Sequence, residues 1–79
     1  MKKILFLCTG NSCRSQIADG IAHNIFNSKY HIESAGTEKH GVNPRAIDTL
    51  KEIDIDISDY KSKIIDSNKL NQFDLIITL

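Results

Sequence analysis

Cys8 and Arg14 stand with five residues between them in "CTGNSCRSQ" (8–16), directly behind the apolar run "ILFL". Thr9, Gly10, Asn11, Ser12 and Cys13 lie between the two, and Ser15 follows. A thiol and a guanidinium set around short, turn-forming residues suit the capture of a tetrahedral oxyanion. Successive backbone N–H groups of a loop that opens a helix can point at one anion, and the helix adds roughly half a positive charge there. The planar fork of Arg14 can grip two oxygens of the same anion. The field that favours an oxyanion also favours a thiolate, and cysteines so placed titrate in the range of about 3.5–7.5. A Cys8 thiolate beneath a bound oxyanion is a nucleophile aimed at the central atom. Gly10 is expected to supply the backbone conformation that other residues resist.

The surrounding elements must hold that loop open. Residues 3–7, "KILFL", form a continuous apolar run, as strands buried on both faces of a parallel sheet do. From Arg14 the period changes: Ile17, Ile21 and Ile25 recur every four residues beside Ala18, Ala22 and Phe26, which marks an amphipathic helix ended by Asn27 and Ser28. These isoleucines are expected in the core, and Asp19 on the same helix in solvent. "YHIESAG" (30–36) reads as a second strand. Asn43 caps a second helix with Pro44 at its first position, and Ala46, Ile47, Leu50 and Ile53 form its apolar stripe. "DIDISDYKSK" is too acidic for a strand. Ser67 is expected to cap a short helix holding Leu70 and Phe73, and "DLIITL" (74–79) is the last strand. The order β-α-β-α-(short α)-β implies right-handed crossovers and a parallel sheet. The anion loop then lies at the C-terminal end of the first strand, where open α/β sheets place ligands.

"LFLCTGNSCRSQIADG", "SAGTEKHGVNPRAI" (34–47), "DIDIS" (54–58) and "DLIITL" together resemble the low-molecular-weight protein tyrosine phosphatase family, and within it the thioredoxin-coupled arsenate reductase branch. "RSQ", where tyrosine phosphatases of this family carry "RSP", and "HGVNP" both favour the reductase branch. The resemblance implies an α/β three-layer sandwich with a parallel sheet in the order 2-1-3. It also implies roles for individual residues. Cys8 is the nucleophile, Thr9 to Arg14 supply oxyanion-binding N–H groups, and the Arg14 side chain clamps the anion. Asn11 holds the loop's shape, Ser15 donates to the Cys8 thiolate, and Cys13 is a redox candidate able to form a disulfide with Cys8. The implied reaction is reduction of arsenate to arsenite with no metal or organic cofactor, and thioredoxin is the reductant of the full-length relative. The alternatives are hydrolysis of phosphomonoesters through a cysteinyl-phosphate and a non-catalytic oxyanion-binding fragment.

The resemblance covers the N-terminal half of such a protein, so residues 1–79 are expected to be a domain incomplete at its C-terminus. The phosphatase reaction uses an Asp-Pro acid. The one proline here, Pro44, follows Asn43. The reductase reaction uses two further cysteines expected beyond Leu79. A parallel sheet without its fourth strand leaves an apolar flank uncovered, through which two copies could associate.

Composition excludes other classes. Ten basic and ten acidic residues cancel, which leaves no electrostatic footprint for nucleic acid or an anionic membrane. No apolar run approaches the roughly 18 residues of a membrane span. The positive start of "MKKILFLCTG" lacks a signal peptide's longer apolar core and cleavage site, so a cytoplasmic location is expected. The two cysteines make neither a disulfide framework nor a zinc-knuckle spacing. His23, His31 and His40 are scattered along the chain and are expected at the surface. "DIDISD" lacks the glycine and terminal glutamate of a calcium loop.

Overall fold

A computed structural model describes residues 2–26 and 28–79 of the chain. The elements run β1 (Lys3–Cys8), α1 (Arg14–Phe26), β2 (His31–Gly36), α2 (Pro44–Lys51), a 3-10 helix (Ser67–Gln72) and β3 (Leu75–Thr78). The strands form one parallel sheet in the order β2-β1-β3, as the family resemblance implied. The register pairs Lys3 with His31 and Cys8 with Gly36, so β1 and β2 end side by side. Helix α1 packs on both strands. The segment 63–66 and the 3-10 helix lie over the opposite face, enclosing with Lys3, Leu5 and Ala35 a cavity of about 470 Å³. Among the described residues no helix is long and apolar enough to cross a membrane.

The main apolar cluster lies between α1 and α2 rather than within the sheet. Ala46, Leu50, Ile55 and Ile57 form it, and Ile17, Ile21 and Cys13 of the α1 side pack against it. Helix α2 begins as expected: Asn43 Oδ1 accepts the Arg45 N–H at 2.9 Å, and Pro44 occupies the first helical position. It ends in a turn that places Asp54 at φ +61° and sends the Ile55 N–H back to the Leu50 carbonyl at 2.9 Å. That reversal tucks Ile55 and Ile57 beneath the helix and turns Ile53 outward, 58% exposed, so Ile53 does not continue the apolar stripe.

Helix α1 departs most from its apolar pattern. Its buried residues are Ser15, Gln16, Asp19, Gly20 and Ala22, whereas Ile25 is 65% exposed. The helix is wedged between the sheet and α2, so small residues are needed where it approaches both. A Cβ at Gly20 would lie 2.8 Å from both Leu50 and Ile57 side chains. Ile25 lies beyond the reach of that cluster. Asp19 is not in solvent: it is 7% exposed, with His23 Nδ1 2.7 Å from its Oδ1. Burial pushes its carboxyl up, and the Ser34 hydroxyl and His23 offset only part of that. The expected end of α1 at Asn27 lies outside the described residues.

The short helix is capped one residue earlier than expected, because Asp66 Oδ1, not Ser67, accepts the Asn68 N–H at 3.0 Å. Leu70 lies within it and Phe73 just past its end. Among the described residues strand β3 pairs only with β1, and Leu75, Ile76 and Leu79 are 50%, 38% and 44% exposed.

Candidate active site

The loop Thr9–Cys13 joins the end of β1 to the start of α1. Its geometry follows from where its carbonyls go. The Cys8 carbonyl accepts the Thr37 N–H, Thr9 accepts Glu38, Gly10 accepts His40 and Ser12 accepts Asn43, at 3.3, 2.8, 3.2 and 2.8 Å. The Cys13 carbonyl accepts the Ile17 N–H at 2.8 Å, the first bond of α1. The Asn11 carbonyl is buried and takes two side-chain donors, Gln16 Nε2 at 3.1 Å and Ser62 Oγ at 2.7 Å. Every carbonyl from Cys8 to Cys13 is thus bonded to a group outside the loop's concave side. The N–H groups of Asn11, Ser12 and Ser15 turn toward Cys8, and no acidic residue of the first turn of α1 competes there with an anion.

Asn11 is the pivot. It is fully buried, and it rather than Gly10 carries the left-handed backbone, at φ +48°. Asparagine tolerates this region because its short polar side chain bonds locally. Its Oδ1 accepts the Lys63 N–H at 2.8 Å and its Nδ2 donates to Ser15 Oγ at 2.9 Å. With that lone pair occupied, the Ser15 hydroxyl is directed at Cys8 Sγ, 2.8 Å away. Ser15 itself is fully buried.

Burial pushes the Cys8 thiol up, but the Ser15 hydroxyl and the backbone N–H groups of Ser15, Asn11 and Ser12 outweigh it, and Cys8 is held below its ordinary value. Arg14 is exposed, and its side chain forms no hydrogen bond or ion pair among the described residues. It lines, with Cys8, Thr9, Gly10, Ser12, Cys13 and His40, a pocket of about 180 Å³. Asn11 lies behind that pocket rather than in its wall. Cys13 is half-buried, reaching both this pocket and the α2 cluster, and both cysteines are free thiols.

Gly10 is constrained by contact instead of by its own dihedral, since a Cβ there would lie 2.4 Å from His40 Nδ1. Four residues that support the loop were not given roles from the sequence. Gly36 passes so close beneath the loop that a Cβ would meet the Thr9 carbonyl at 2.5 Å and the Asn11 nitrogen at 2.7 Å. Gln16, 1% exposed, ties the Asn11 carbonyl to the Lys61 carbonyl, to which it also donates at 3.2 Å. Ser62 and Lys63 reach Asn11 from 51 and 52 residues away. "SAG" preceding "TEKHG" was a signal for Gly36; nothing local signalled Ser62. The three histidines are exposed as expected, each beside an acid: His23 by Asp19, His31 by Glu33 and His40 by Glu38. Among the described residues no three His, Cys, Asp or Glu side chains cluster as metal ligands.

A strand-loop-helix unit with a half-buried, hydrogen-bonded cysteine at the strand's end and loop amides turned toward it defines an α/β protein with a candidate thiolate-based oxyanion site. The family model for low molecular weight phosphotyrosine protein phosphatase matches residues 3–79, and the chain belongs to that family. An arsenate reductase of Staphylococcus saprophyticus is 55% identical over 78 residues, which cover 99% of this chain and 60% of that protein. The chain therefore spans about 60% of the length of the curated relatives it matches. The structure of an arsenate reductase in the phosphate-binding state superposes with a TM-score of 0.93 at 40% identity, covering 100% of this chain and 60% of that one. A thioredoxin-dependent arsenate reductase from Corynebacterium glutamicum superposes with a TM-score of 0.93 at 29% identity, covering 99% and 40%.

Proposed function

We propose that this chain carries the arsenate-binding and nucleophilic half of a thioredoxin-coupled arsenate reductase reaction. The observation that carries this reading is the outward bonding of every carbonyl from Cys8 to Cys13 around a cysteine held below its ordinary pKa. The amides of Thr9 to Arg14 hold arsenate, and the exposed Arg14 fork closes on two of its oxygens. The Cys8 thiolate attacks arsenic, a sulfur–arsenic bond forms, and one arsenate oxygen leaves as water after protonation. Arsenic remains pentavalent at this stage. Attack of a second thiolate on Cys8 sulfur then breaks the sulfur–arsenic bond, forms a disulfide and leaves the electron pair on arsenic, which departs as arsenite. Cys13 is the redox candidate within these residues, and thioredoxin reduces the final disulfide in the complete cycle. No cofactor is required by this scheme. A reducing compartment suits it, so the proposed location is the cytoplasm. The exposed flank of β3 offers a route to self-association.

Hydrolysis of phosphomonoesters uses the same cradle, and the family model supports it as a second reading. "RSQ" (14–16), "HGVNP" (40–44) and the 55% identity to an arsenate reductase favour the reductase reading. The test is alkylation of Cys8 by iodoacetamide in the full chain. Millimolar arsenate or phosphate is expected to protect Cys8, and arsenate with thioredoxin, thioredoxin reductase and NADPH reports turnover. Hydrolysis of p-nitrophenyl phosphate would favour the phosphatase reading. Alkylation at the same rate with and without either oxyanion would refute both.

A further inference from the structure

Gln16 is an unexpected residue for the buried side of a helix. Its side-chain Oε1 is buried with no partner among the described residues. A bare buried acceptor is unfavourable, so packing alone gives no reason for an amide there. What the amide supplies is two donors. Its Nε2 gives one hydrogen to the Asn11 carbonyl at 3.1 Å and the other to the Lys61 carbonyl at 3.2 Å. Both partners only accept, which fixes the sense of the amide. The Asn11 carbonyl takes its second bond from the hydroxyl of Ser62, also buried, at 2.7 Å. One buried oxygen of the loop is therefore gripped from two elements, α1 and the segment 61–63. That oxygen shares a planar trans peptide with the Ser12 N–H, and the two point in opposite directions. The Ser12 N–H is one of the groups that lower the Cys8 thiol, so gripping the oxygen from behind holds the hydrogen on the side of the sulfur.

We propose that Gln16 and Ser62 are positioning residues for the nucleophile: by clamping the Asn11 carbonyl together they aim the Ser12 amide at Cys8 and at the oxyanion above it. The effect on the oxyanion rests on the reading above; the effect on Cys8 does not. The pocket is lined by Cys8, Thr9, Gly10, Ser12, Cys13, Arg14 and His40, so both residues act through the Asn11–Ser12 peptide without touching the anion. Gln16 also fastens the clamp to itself, because its second bond holds the carbonyl of Lys61, the residue before Ser62.

The full chain is compared as wild type, Gln16→Met, Ser62→Ala and the double variant. Ile57→Val is the control, since Ile57 is fully buried in the apolar cluster and outside the clamp. Alkylation of Cys8 by iodoacetamide is followed against pH by peptide mass mapping, with and without inorganic phosphate. Each single variant should keep the plateau rate at high pH and lose roughly threefold in rate well below the midpoint. Phosphate should protect roughly threefold less well in each. Because both donors hold one oxygen, the double variant should lose roughly twentyfold, above the roughly ninefold product of the single losses. Ile57→Val should melt lower and keep the wild-type profile. An unmoved profile in either single variant overturns the clamp, as does an equal shift in Ile57→Val, which would make the effect one of stability alone. Losses that simply multiply in the double variant overturn joint action on one carbonyl. Circular dichroism checks each fold; were Gln16→Met not to fold, Ser62→Ala, which removes one oxygen atom, decides by the same criteria. Phosphate that fails to protect wild-type Cys8 overturns the oxyanion reading, and the pH profiles still judge the clamp.

Discussion

Replacing Gly36 with alanine tests the architecture beneath the loop. The added methyl would stand 2.5 Å from the Thr9 carbonyl oxygen, 2.7 Å from the Asn11 nitrogen and 2.9 Å from the Cys8 carbonyl oxygen. All three are backbone atoms, so no side chain can rotate away. They belong to a loop whose carbonyls are already bonded, and Gly36 is itself pinned, its N–H to Lys63 and its carbonyl to the Ile65 N–H. Overpacking of this kind costs about 1–3 kcal/mol. In a domain of this size each kcal/mol moves Tm by about 4–8 °C, so the expected fall is roughly 5–20 °C. The loop should yield before the sheet does, so Cys8 reactivity toward iodoacetamide at neutral pH should drop as well. Gly41→Ala is the control. Gly41 sits at φ +79° with nothing near a Cβ, so alanine there meets only the left-handed penalty of roughly 1–2 kcal/mol. It should leave Cys8 reactivity unchanged. Thermal melts and alkylation rates on the two variants decide the matter. A Gly36→Ala chain with wild-type Tm and wild-type Cys8 reactivity would refute the placement of β2 against the loop.

Ser15→Ala removes the hydroxyl 2.8 Å from Cys8 Sγ. A hydrogen bond to a charged group is worth about 1.5–3 kcal/mol, and partial exposure of the thiol discounts that to about 1 kcal/mol. The thiolate fraction well below the titration midpoint should fall roughly fivefold, and the pH profile of alkylation should move to higher pH; an unmoved profile would assign the effect to the amides alone. Asp19→Asn probes the buried carboxyl, whose folded pKa is raised above the ordinary value. The folded state then binds the extra proton, so wild-type stability declines as pH rises from the ordinary value through the raised one. Urea melts between about pH 3 and 5.5 should show the stability of Asp19→Asn gaining on wild type as pH rises; a constant difference would contradict the burial of Asp19.

Much of the site was legible because its chemistry is local. Cys8, the amides of the loop and Ser15 lie within eight residues, and the change from an apolar run to a four-residue repeat marks the strand and helix on either side. Errors fell where one residue answers to two neighbours. Gly10 and Asn11 adjoin, and glycine was the natural candidate for the left-handed position. Asn11 takes it, and its side chain bonds Lys63 and Ser15 from that conformation. Asp19 and Ile25 exchanged places relative to a simple amphipathic reading, because α1 meets a sheet on one side and α2 on the other. A helical period reports one apolar face and cannot say which polar residues a second neighbour will cover.

The remaining gap is one of distance along the chain. An amide aims inward only if the carbonyls beside it are satisfied outward, and a loop cannot supply its own acceptors' partners. Here those partners come from 37–43, from Gln16 and from Ser62, the last 51 residues beyond Asn11. A cysteine and an arginine at the right spacing therefore specify the donors of an anion site without specifying their direction. Direction is set where β2 ends beside β1, because Gly36 lets the chain pass beneath the loop and Thr37, Glu38, His40 and Asn43 then reach its carbonyls in turn. The nucleophile's ionisation is in this sense a property of the sheet register. A one-residue slip of β2 against β1 would offer those N–H groups to the wrong carbonyls, and the cradle would lose its inward amides with every residue of the motif still in place.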